Sequence, residues 1–142
     1  MYRKTAGIAH AALVADILNK PMGYVRGSNK SHGRQNRIEG AVRKGMKVVV
    51  VEDLISTGGS SLEVVDALRE AGCEVLGLVA IFTYGLKDSI KNFADKDCHF
   101  VTLSNYDALL PVAVEHNYIK EEALEKLKAW KVDPHDESWM IK

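Results

Sequence analysis

An α/β domain built on a parallel sheet is the architecture this sequence predicts, and three observations carry it. Two apolar runs, KVVVV (47–51) and EVLGLVAIF (74–82), lack the polar alternation of a half-exposed strand and suit strands buried on both faces. Between them, Leu62, Val65 and Leu68 form one stripe of a helix over 61–71. The strand–helix–strand order then repeats toward residue 103, as parallel connections require.

Taken in order, AHAALVADILN (9–19) places Leu13, Val14, Ile17 and Leu18 at helical spacing, with Pro21 after the stop. MGYVR (22–26) reads as a short strand. Residues 27–37, GSNKSHGRQNR, contain no apolar side chain and read as a mobile surface loop. The 47–51 run is placed centrally in the sheet. Ser60 and Glu63 fit a capping box for the 61–71 helix, and Gly72 supplies its stop. A short helix over 87–94 and a last strand over 99–103 follow. Ser104 and Asp107 fit the cap of a helix through about residue 115, which Pro111 is expected to kink or split. Residues 121–131 are amphipathic through Leu124, Leu127 and Trp130, with acids first and lysines last, and Asp133–Pro134 closes them.

The composition narrows the function. Nineteen basic residues balance nineteen acidic ones across 142 residues, so no net charge points to nucleic acid or an anionic membrane. Apolar residues at 46% and charged residues at 27% describe an ordinary globular domain. Cys73 and Cys98 form no C-x-x-C and read as plain thiols of a reducing compartment. No apolar run is long enough to span a bilayer, and a cytoplasmic location is expected. His10, His99, His116 and His135 show no zinc-site spacing and read as packing or capping residues.

Chemistry concentrates in VVVVEDLISTGGSS (48–61). Ligands of open parallel sheets gather at the carboxyl ends of strands, so a strand ending at Val51 would set Glu52 and Asp53 at the mouth of the crevice. Ser56 to Ser61 run into a helix start, where unpaired amides and the positive end of the dipole favour an anion. Gly58 and Gly59 permit close approach, so the loop suits a phosphate monoester. Ionised carboxylates only accept hydrogen bonds, so the acids suit sugar hydroxyls or a divalent cation. The plain alternative is an acidic helix entry with a flexible glycine turn. Neither G-x-x-x-x-G-K-[ST] nor G-x-G-x-x-G occurs, which excludes the Walker loop and the dinucleotide fingerprint.

That stretch closely resembles the 5-phosphoribosyl 1-diphosphate (PRPP) motif of the type I phosphoribosyltransferases, and EDLISTGGS resembles the orotate branch of the family. The resemblance implies that Glu52 and Asp53 hold the ribose hydroxyls. Leu54, Ile55, Ser56, Thr57, Gly58, Gly59 and Ser60 would complete the PRPP site, with 56–60 wrapping the 5-phosphate and Ser56 also touching orotate. YVRGSNKSHGRQNRIEG (24–40) resembles the family's mobile loop through Arg26, Lys30, His32 and Gly33. These imply catalytic and diphosphate roles for Arg26, Lys30 and His32, and a homodimer in which loop 27–37 acts at the neighbouring subunit's site. Gly27 stands where some relatives carry a second lysine. TAGI resembles the diphosphate-binding turn, which implies Thr5, Ala6 and Gly7.

The implied fold is a parallel sheet with helices on both faces, a core over about 1–103 and a helical C-terminal hood segment over about 104–142. The implied cofactor is Mg²⁺, held by substrate oxygens with no direct protein ligand. PRPP and orotate are the implied substrates, in a step of pyrimidine (UMP) biosynthesis. Relatives carry an N-terminal hood and a first core strand ahead of the TAGI stretch, and both are expected to be missing here. A phosphoribosyltransferase for another base and a catalytically silent PRPP-binding module are the alternatives.

Overall fold

A computed structural model of the chain describes residues 6–26 and 37–136. Helix α1 (Ala6–Ile17) precedes a small antiparallel sheet of β1 (Gly23–Val25) and β2 (Ile38–Gly40). Next come β3 (Lys47–Ile55), α2 (Gly59–Glu70), β4 (Glu74–Thr83), α3 (Lys87–Asp95) and β5 (Phe100–Asn105). These form two βαβ units and a parallel sheet of order β3-β4-β5. The chain continues with α4 (Tyr106–Glu115), one 3₁₀ turn (Glu121–Ala123) and α5 (Leu124–Val132). Among the described residues no helix is long and apolar enough to cross a membrane.

The core follows from the strand period. Val50, Leu78 and Ala80 are buried from the sheet and meet Leu62, Val65 and Leu68 of α2 and Phe93 of α3. Phe93 also packs on Phe100, ring centroids 4.6 Å apart. The alternating residues Val79, Ile81, Val101 and Leu103 remain exposed, Leu103 to 86%. Tyr84, Tyr106 and Trp130 pack edge-on or tilted within 5.9 Å of one another, which fastens α4 and α5 to the residues after β4. Cys73 and Cys98 are buried free thiols, and burial pushes the Cys98 thiol up.

The expected central position of the 47–51 strand is not what the fold shows. Among the described residues β3 is an edge strand, and β4 is the central one. Beyond the open edge of β3 lies a cavity of about 550 Å³, lined by Lys47 to Glu52, by Met22 to Val25 at β1, and by Ile8, Ala11 and Val14 of α1. The unbroken valine run thus borders a slot between the two sheets.

Local signals were overridden at three places. The N-cap of α2 is Gly58, not Ser60, and no side chain caps it, because the chain enters the helix at a left-handed φ of 82°. Asn105 rather than Ser104 caps α4, its side chain accepting from the Ala108 amide at 3.0 Å. Helix α4 runs unbroken through Pro111. Pro111 has no N–H to give the Asp107 carbonyl, so the helix continues there one hydrogen bond short. Gly72 does end α2, at a φ of 82°, with Cys73 N–H bonded to Leu68 O and Gly72 N–H to Arg69 O.

Candidate functional site

The strand before the loop is longer than its composition suggests. The parallel ladder carries β3 past the acids, pairing Glu52 with Ala80, Leu54 with Phe82 and Ile55 with Thr83. Glu52 and Asp53 therefore sit within the strand, on opposite faces of the sheet, and both are half-buried. Helix α1 comes close to them: a Cβ on Gly7 would lie 2.8 Å from the Val51 carbonyl and 3.0 Å from Glu52 Oε2. Among the described residues no three His, Cys, Asp or Glu side chains gather as a metal site.

Residues 56–58 turn from β3 into α2, and three carbonyls of the turn are taken up by protein donors. Ile55 O accepts from Thr83 Oγ1 and from Tyr84 N–H, each at 3.2 Å. Thr57 O accepts from Asn92 Nδ2 at 3.0 Å, and Gly58 O from Leu62 N–H at 2.9 Å. A trans peptide points its N–H opposite to its C=O. The amides of Ser56, Gly58 and Gly59 are thus aimed away from those anchors, and the first amides of α2 have no carbonyl within the helix. The main chain here offers donors to an anion. Ser56, Thr57 and Gly59 are exposed, Ser60 is half-buried, and Ile55 is fully buried, so its side chain anchors the turn from the core.

Arg26, just past β1, is exposed and forms an ion pair with Glu39 of β2, which also accepts from the Tyr24 hydroxyl. Hydrogen bonds from Tyr24 and then Arg26 hold the Glu39 carboxyl below its usual range. The Arg26 amide bonds Arg37 O at 2.7 Å and closes this end of the pair of strands. Lys30, His32 and all of loop 27–37 except Arg37 lie outside the described residues, as does Thr5. Ala6 and Gly7 are the first two residues of α1, not a turn ahead of it. His10 Nδ1 bonds Ala6 O at 3.1 Å, a local contact within α1.

The turn is thus bracketed by Thr83, Asn92 and Phe93, none of which a local sequence pattern singles out. A Cβ on Gly58 would stand 2.6 Å from the Phe93 ring, so the ring seats directly under that residue. Glu39 sits near the end of the stretch that resembles the mobile loop, but its bonds to Tyr24 and Arg26 left no periodic signal, since β2 is too short to show one.

Residues 4–117 match the phosphoribosyl transferase domain family. The chain belongs to that family. Among curated relatives it is similar to the orotate phosphoribosyltransferase of Bacillus pumilus, 62% identical over 136 residues, covering 96% of this chain and 64% of the relative. The Bacillus subtilis orotate phosphoribosyltransferase is 54% identical over 138 residues, with 97% and 64% covered. The chain therefore spans a little under two thirds of the length of these phosphoribosyl transferases. Among solved structures, Leishmania donovani UMP synthase superposes with a TM-score of 0.69 at 30% identity, over 85% of this chain and 26% of that one. Orotate phosphoribosyltransferase from Aeropyrum pernix does so with a TM-score of 0.67 at 32% identity, over 80% and 61%.

Proposed function

We propose that this chain is the PRPP-handling part of an orotate phosphoribosyltransferase. It would transfer ribose 5-phosphate from PRPP to N1 of orotate, giving orotidine 5′-phosphate and diphosphate, in cytoplasmic pyrimidine synthesis. The observation that carries this reading is the turn after β3, where three carbonyls are held by the protein and the intervening amides are left to an anion. Similarity to orotate-specific relatives over nearly the whole chain supports orotate as the base.

In this reading residues 56–60 wrap the 5-phosphate, and Glu52 and Asp53 accept from the ribose hydroxyls, one from each side of β3. Leu54 lines the approach and Ser56 also meets orotate. Arg26, Lys30 and His32 neutralise the diphosphate as the C1–O bond breaks and its electron pair leaves with the oxygen. Orotate N1 supplies the pair that forms the new bond to C1, and its proton passes to the departing diphosphate. Amides of Thr5, Ala6 and Gly7 add to diphosphate binding, and loop 27–37 closes over the site of a neighbouring subunit in a homodimer. Mg²⁺ keeps much of its own shell and takes few protein ligands, so half-buried carboxylates beside a polyphosphate substrate fit an ion held chiefly by substrate oxygens. When bound, the ion would offset the charge of the diphosphate.

The remaining length of the relatives would supply a first core strand and an N-terminal hood. The apolar lining of the slot between β1, β3 and α1 supports such a strand at that edge. In the same reading the whole chain is one domain, with α4 and α5 as the C-terminal part of the hood.

The test is to incubate the chain with PRPP, Mg²⁺ and, separately, orotate and other nucleobases. Orotate consumption with release of diphosphate is the expected result, and consumption of a different base would overturn the assignment. PRPP binding by calorimetry without turnover of any base would instead favour the silent binding module.

A further inference from the structure

Asn92 lies in the second turn of α3, 35 residues along the chain from the carbonyl it holds. Its Nδ2 donates to Thr57 O at 3.0 Å, while its neighbour Phe93 is buried and seats its ring under Gly58. One turn of one helix thus grips both residues of a single peptide unit. Because that peptide is planar and trans, a carbonyl aimed at α3 sends the Gly58 N–H the opposite way. Glycine resists rotation of its flanking peptides less than any other residue. At this position some outside contact must therefore choose the direction of the amide.

We infer that Asn92 is a positioning residue for the phosphate-binding turn, holding the Thr57–Gly58 peptide so that the Gly58 amide faces a phosphate monoester. Phe93 sets how deep the turn sits, and Asn92 sets which way its donor points. The inference rests on the reading of residues 56–60 as a ribose-phosphate cradle.

The experiment titrates ribose 5-phosphate into the full chain and into the Asn92→Ala and Asn92→Asp variants, with thermal melting followed in parallel. Asn92→Ala is expected to weaken binding about fivefold, the order set by one hydrogen bond. Asn92→Asp is expected to weaken it further, because a carboxylate would face the Thr57 carbonyl with no proton to share. Both variants should melt close to the unmodified chain. In amide spectra, the shift of the Gly58 signal on adding ribose 5-phosphate should shrink in the Ala variant. Variants that bind as the unmodified chain does would overturn the role of Asn92 and leave the cradle standing. Losses that merely track a lowered melting temperature would overturn it too and place Asn92 with the core. Failure of the unmodified chain to bind ribose 5-phosphate would remove the cradle, and this inference with it.

Discussion

The two edges of β3 have opposite fates. Along one, the strand is joined to β4 from Lys47 to Ile55, with a single register shift at Val48/Val49, and continues into a turn where the Ile55, Thr57 and Gly58 carbonyls are held by protein donors. Along the other, the same valines border a cavity of about 550 Å³ shared with β1 and α1. The turn takes its position from the closed side, through β4, α2 and α3, while Glu52 also meets α1 across the open side. The geometry of the turn and the completeness of the sheet are therefore separable in this chain.

The largest expected effect tests the closed side. Phe93→Ala should cost about 3–5 kcal/mol in chemical denaturation, since it empties a fully packed ring site beneath the turn. A lysine at the exposed Leu103 should change stability by no more than about 0.5 kcal/mol. Similar costs at both positions would mean that the exposed sheet face is covered in solution.

Amide exchange probes the open side. In a parallel strand, alternate amides point to opposite edges, so every second amide of β3 turns toward the slot. Those amides should exchange faster than the amides of Leu78 to Ala80, which lie in the central strand with neighbours on both sides. Uniform slow exchange along β3 would show that the slot is already filled.

The smallest effect concerns the link between β1 and β2. Glu39 titrates below its usual range because Tyr24 and then Arg26 bond its ionised form. A depressed carboxylate adds stability above its unfolded value and loses it as pH falls through the folded one. Glu39→Gln should therefore flatten the acid side of the stability profile slightly, and the carboxyl carbon signal of Glu39 should titrate lower than a free glutamate. A normal titration would mean that the cluster does not persist in solution.

What the sequence disclosed and what it hid divide along the same line. The Leu62–Val65–Leu68 stripe and the stop at Gly72 were legible because they rest on a local period and a left-handed φ. The apolar runs marked strands but not their faces, since Val49, Leu76, Val79 and Ile81 stay exposed on one side of the sheet. The true end of β3 was not, because Glu52 and Asp53 look like a strand terminus until Thr83 is known to pair with Ile55. Ser60 made a capping signature that lost to Gly58, whose backbone angle is set by the turn and the ring beneath it. Asn92 left no trace, since its partner is 35 residues away. The edge position of β3 was hidden for a related reason: apolar runs report burial, and a strand beside an apolar slot is as hydrophobic as one beside a neighbour.

A turn that commits three main-chain oxygens inward and carries no lysine or arginine over residues 56–61 favours a guest by its proton count. A fully ionised phosphate ester presents only acceptors to the amides, and a protonated one gives up an acceptor. Uptake should then rise through the second ionisation of the guest.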